Sequence, residues 1–191
     1  MNYLIEAGVL LIEVFFGLAS GLFLFRVLLQ LVGANFHNPI CQFFYRATNP
    51  ILIPLRKLLP PRGRIDFAGM LVALLIQTLK VLVLILLLGA GLTLPSLLLL
   101  GVVELLAQLL NIYFMLILAR AILSFVGVDR RHPALPLLAQ LTEPVLGPVR
   151  RLLPATGAFD LSPMLIILAI LLARLLIIAP LTDLGRALAV G

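Results

Sequence analysis

Four long apolar runs, residues 7–34, 67–92, 96–127 and 161–181, alternate along the chain with polar, proline-rich stretches. Each run is long enough to cross about 30 Å of hydrocarbon as a helix. A helix covering a soluble core shows a polar stripe, whereas these runs are apolar nearly all round. The pattern predicts an all-α membrane protein with four transmembrane helices. The first run is read as a retained span, not a cleaved leader. It is preceded by Glu6 without a basic residue, contains Glu13, and continues well past Ala19-Ser20-Gly21, the reverse of what a signal peptide needs.

A second pattern lies over the first. The segment NPILIPLRKLLPPRGRIDFAGML, from Asn49, returns as EPVLGPVRRLLPATGAFDLSPML, from Glu143, at a constant offset of 94 residues and without a gap. The offset places Pro50 on Pro144, Pro54 on Pro148, Arg56 on Arg150, Pro60 on Pro154, Gly63 on Gly157 and Asp66 on Asp160. Outside that segment it places Arg26 on Arg120 and Lys80 on Arg174. The chain is therefore a duplicated unit, 1–94 and 95–191, each holding two spans and one connecting loop. Two spans per unit return the chain to its starting side, so both units enter the membrane in the same direction. A pseudo-two-fold axis along the membrane normal is expected, which suits an inverted-repeat transporter poorly.

Composition agrees with the membrane class: 63% of residues are hydrophobic and 12% charged, with a mean hydropathy of +1.23. The net charge of +6 does not signal nucleic acid. Nine of the 14 Lys and Arg residues lie in the loops 35–65 and 128–159, whereas the 92–96 connection is uncharged. Basic loops stay cytoplasmic, which predicts an inner-membrane protein with both termini and the 92–96 hairpin outside. Cys41 is the single cysteine, so no intrachain disulfide can form.

Within each loop, leucines and prolines surround a basic pair, Arg56-Lys57 in one copy and Arg150-Arg151 in the other. Pro50 and Pro144 suit a helix start, Pro54 and Pro148 would kink it, and Pro60 and Pro154 would stop it. This predicts a short amphipathic helix on the cytoplasmic interface, its leucines in the acyl boundary and its cations on anionic headgroups. A solvated loop whose charges only set topology is the plainer alternative. Gly63 and Gly157 permit a turn, after which Asp66 and Asp160 either cap the next span or pair with the loop cations or with Arg26 and Arg120. Ser162-Pro163 offers an alternative cap in the second copy.

Six charged residues fall inside the spans: Glu13, Arg26, Lys80, Glu104, Arg120 and Arg174. Such groups are costly in lipid unless paired, hydrated or snorkelled. Arg26 lies roughly 10 Å from the end of its span and can snorkel. Lys80 and Arg174 lie roughly 21 Å beyond their aspartates and need protein or water around them. Pairing within each repeat, Glu13 with Lys80 and Glu104 with Arg174, is one expectation. Glu104, Gln108 and Asn111 share a helix face, which reads as interhelical packing glue or as a polar path for an ion. His37 and His132 are isolated, and the sequence offers no metal-ligand spacing, phosphate-cradling loop or activated nucleophile. A non-enzymatic protein without metal or cofactor is expected.

The twice-occurring P-x-L-x-P-x-R-[KR]-L-L-P-x-x-G-x-x-D resembles the signature of the YggT family, called YlmG in plastids and Gram-positive bacteria, in its two-copy form. The second copy departs where Ala155-Thr156 replace Pro61-Arg62, leaving a less basic loop. The resemblance implies a setting in cell division, membrane-complex assembly or osmotic-stress tolerance, without a defined activity. Two readings stay open. One is an inner-membrane scaffold or assembly factor, possible as a homo-oligomer, that meets a protein partner through the loop motifs. The other is a small ion or osmolyte conduit built on the intramembrane polar residues.

Overall fold

In the computed structural model, residues 3–35, 37–126, 134–152 and 160–190 are described. They form α1 (Tyr3–Leu31), α2 (Pro39–Arg56), α3 (Phe67–Leu88), α4 (Leu94–Val126), α5 (Ala134–Leu152), α6 (Ser162–Ala173), a π-helical turn (Arg174–Ile178) and α7 (Ala179–Val190). The last three run on as one rod. Four helices, α1, α3, α4 and this rod, are long and apolar enough to span a membrane. No named β-strand occurs among the described residues; Arg62 and Ile65 pair across a two-residue turn, with Gly63 at φ 61°.

The span ends shift where local chemistry or packing decides them. The second span stops at Leu88 rather than at 92, because Gly89 takes a left-handed conformation (φ 65°) that closes the helix. The fourth continues to Val190 rather than ending near 181. Its extra turns lie against α4, where Ser96 Oγ donates to the Gly185 carbonyl at 2.8 Å and Thr93 Oγ1 to that of Leu188 at 2.8 Å. Hydropathy does not register such contacts.

The loop helices also differ from expectation. α2 does not begin at Pro50. It begins at Pro39, where Asn38 caps it by accepting from the Ile40 amide at 2.9 Å, and it runs through Pro50 and Pro54 to Arg56. α5 likewise runs through Pro144 and Pro148. Each proline pair is spaced four apart and lies on the exposed side, so the carbonyls deprived of an amide partner are not sealed in the core. α2 ends before Pro60 is reached, while Pro154 and Gly157 lie outside the described residues. Not every loop leucine turns outward: Leu52 and Leu146 are fully buried, while Ile51, Leu58 and Leu152 are exposed.

The main core gathers Phe23, Leu24, Leu28 and Leu29 of α1 with Cys41 and Leu52 of α2, Ala68 and Val72 of α3, and Ile112 and Leu116 of α4. It lies where α2 packs against α1 and α3. The spans form a row, α1 on α3, α3 on α4, α4 on the fourth span, with a smaller contact between α1 and α4. A closed two-fold would repeat the α3–α4 interface between the fourth span and α1. No packing interface of that kind forms among the described residues.

Candidate functional site: two arginine–carboxylate junctions and an intramembrane ion pair

The residues singled out by the repeat converge where each loop helix meets its spans. In the first copy, Arg26 projects from α1 and donates through Nη1 to Thr48 Oγ1 (2.8 Å), Asn49 Oδ1 (2.7 Å) and the Tyr45 carbonyl (3.2 Å). Its guanidinium also lies 4.0 Å from the Tyr45 ring centroid, within cation–π range. Arg26 is 1% exposed, so it does not snorkel to water. Arg56, at the end of α2, donates through Nη2 to Asp66 Oδ2 (2.5 Å) and to Gln30 Oε1 of α1 (3.0 Å). Asp66 is fully buried and lies 3.7 Å from Arg26 Nε.

Asp66 performs both roles considered for it. Its Oδ1 accepts from the Gly69 amide at 3.2 Å, capping α3, while Oδ2 takes Arg56. Gly69 is required by proximity, because a Cβ there would stand 2.8 Å from Val27 Cγ2 of α1. One carboxylate therefore ties the start of α3 to the end of α2.

The second copy repeats the scheme. Arg120 Nη1 donates to Thr142 Oγ1 (2.5 Å) and Glu143 Oε2 (3.3 Å), and Arg150 holds Asp160 through Nε (2.8 Å) and Nη2 (2.7 Å). Asp160 also accepts from the Ser162 amide at 3.0 Å. Ser162 itself occupies the first helical position and is not the cap. Burial pushes the Asp160 carboxyl up, but the Ser162 hydrogen bonds and the Arg150 guanidinium outweigh it and leave the group below the usual carboxylate range. The copies differ in detail: the neutral Asn49 of the first faces Arg26, whereas Glu143 of the second bridges Arg120 and Arg150, and Ala139 and Ser124 stand where the first has Tyr45 and Gln30. Two cations thus meet one carboxylate in the first junction and two in the second.

The structure divides the basic pair. Arg56 and Arg150 point inward to the aspartates, while Lys57 and Arg151 are exposed and enter no ion pair among the described residues. Thr48, Thr142, Gln30 and Asn49 were not singled out from sequence. The threonines carried a signal, since they coincide at the 94-residue offset.

Inside the spans, the expected intra-repeat pairs do not form. Lys80 Nζ of α3 meets Glu104 Oε2 of α4 at 2.6 Å, joining the two repeats, because α3 packs beside α4 and places Lys80 on that side. Glu13 and Arg174 have no ion partner among the described residues. Gln108 Nε2 donates to the Gly17 carbonyl at 3.2 Å and Gln77 Nε2 to Ser20 Oγ at 2.9 Å, which is the packing-glue reading. Asn111 is exposed. A cavity of about 330 Å³ between α3, α4 and α7 is lined by Leu84, Ile85, Leu100, Glu104 and Arg186 among others.

Sequence comparison gives these junctions their context. The chain is 38% identical over 157 residues to an uncharacterized protein of Pseudomonas aeruginosa, covering 81% of this chain and 80% of the relative. It is 38% identical over 168 residues to an uncharacterized protein of Vibrio alginolyticus, covering 87% and 90%. It is 39% identical over 145 residues to the uncharacterized protein YggT of Escherichia coli K12, covering 76% and 75%. No solved structure matches. The CCB3/YggT family model matches twice, at residues 5–87 and 99–181, once over each Arg–Thr–Asp junction; the chain belongs to the CCB3/YggT family.

Proposed function

We propose that the protein is a non-enzymatic inner-membrane scaffold, its two loop helices held along the cytoplasmic leaflet to present a basic face to a protein partner. Both units would insert in the same direction, with the termini outside. The observation that carries this reading is the division of the basic pair. In each copy the first cation fixes the helix to a carboxylate at the start of the next span, and the second projects outward. A solvated topology loop has no need of that anchoring. Exposed Phe43, Ile51 and Ile53 of α2 supply an apolar surface for the acyl boundary, and Lys57 and Arg151 supply cations for headgroups or an acidic partner.

The test uses the outward cations, because substituting Arg56 or Arg150 would loosen the helices themselves. Photocrosslinking residues placed at positions 57 and 151 in intact membranes should capture one and the same protein from both sites. The joint changes Lys57→Glu and Arg151→Glu should abolish copurification of that protein at unchanged expression. Adducts with lipid alone at both positions would defeat the scaffold reading.

A second reading draws on the cavity between α3, α4 and α7, which reaches Glu104, 39% exposed and bound to Lys80. A small ion or osmolyte conduit would use that path. Flux in liposomes holding the purified protein, lost on Glu104→Gln, would favour it over the scaffold.

A further inference from the structure

The interface between the two repeats is formed once inside the chain, and both of its halves occur a second time, uncovered. α3 offers Lys80 and Val81 to α4, with Val81 only 6% exposed. The repeat-related pair on the fourth span is Arg174 and Leu175, and Leu175 is 66% exposed. On the opposite side of the interface, α4 offers Gly101 and Glu104. Gly101 lies so close to α3 that a Cβ would stand 3.1 Å from Thr78 Cα. The repeat-related pair on α1 is Ala7 and Leu10, small where Gly101 is small, and Leu10 is 60% exposed.

The charges follow the same logic. Arg174 replaces Lys80, and its Nε is buried with no hydrogen-bond partner. Glu13 stands one turn along α1 from Leu10, exposed and without an ion partner among the described residues. Each is an ionisable group in an apolar span, costly against lipid and relieved by an opposite charge. The fourth span is also the least covered, with 11% of its most apolar window buried against 22% to 28% for the others.

We propose that a second copy of this chain docks its α1 against the fourth span of the first, placing Glu13, one turn from the position equivalent to Glu104, against Arg174 in a contact analogous to the one Lys80 and Glu104 make within one molecule. The contact is heterologous, so copies continue head to tail into a ring or a row. It is independent of any partner at the loop helices.

The experiment co-expresses two differently tagged copies, one with Leu10→Cys and the other with Leu175→Cys, and treats intact membranes with a short bis-maleimide. Native Cys41 does not interfere: it is fully buried, and burial pushes its thiol pKa up. A mixed crosslinked dimer is expected, whereas Leu79→Cys on the exposed side of α3 should give none with Leu10→Cys. Glu13→Arg should lower the mixed dimer on the order of tenfold, the effect of losing one modest charge contact, and adding Arg174→Glu in the partner copy should restore it. Should the charge-reversed chains fail to accumulate, the mass of the unaltered protein in lipid nanodiscs decides, a monomer counting against the proposal. Equal crosslinking at position 79 would overturn it. So would a single chain carrying both cysteines that links only to itself, since α1 and the fourth span would then close within one molecule.

Discussion

Adjacent cations in one motif carry different loads, and single substitutions should separate them. Arg56→Ala leaves Asp66 fully buried without its closest countercharge, which costs about 3–5 kcal/mol for a buried pair broken on one side. Lys57→Ala, next in the chain and exposed, should change stability by less than about 0.5 kcal/mol. Thermal unfolding in detergent compares the two. At the second junction the outcome depends on pH. The Asp160 carboxyl lies below its unfolded range, so its contribution is complete above a pH of about 4 and is lost as the pH falls through the folded value. Thermal stability in detergent should fall as the pH drops below that point, and Asp160→Asn should remove this part of the dependence.

Among elements, the α3–α4 contact joins the repeats, and to shared apolar packing it adds one close approach and one ion pair. Gly101→Val would force a side chain into Thr78 and should destabilise by about 1–3 kcal/mol, as overpacking does. Lys80→Met or Glu104→Leu alone strands a charge in the membrane, whereas the double change removes both. The double variant should therefore unfold in sodium dodecyl sulfate closer to the native protein than either single one. If the three variants prove equally impaired, the pair is not what joins these helices.

For the whole molecule, the row of spans leaves the N-terminal half of α1 and most of the fourth span uncovered, while the junctions gather at the opposite ends of the spans. Topology is the quantity to measure at this scale. A cysteine replacing Lys57 should react with an impermeant maleimide only after the cytoplasmic side is opened. One replacing Leu92, in the short connection between α3 and α4, should react from outside on intact cells. The reverse pattern would contradict the basic-loop assignment.

Sequence alone determined the class, the four spans, the duplication and the family. These rest on signals summed over many residues: apolar length, the constant offset and the asymmetry of charge. It also brought forward Arg26, Arg56 and Asp66 with their counterparts, because a charge recurring at the same place in two copies stands out. It could not say that α2 would run through two prolines, since whether a carbonyl left without an amide is tolerated depends on which face is sealed. Nor could it choose the partner of Lys80. Glu13 and Glu104 were equally available in the chain, and only the placement of α3 beside α4 brought one of them within 2.6 Å. Ion pairs act over a few ångströms, a range that residue spacing sets within a helix and that tertiary packing alone sets between helices.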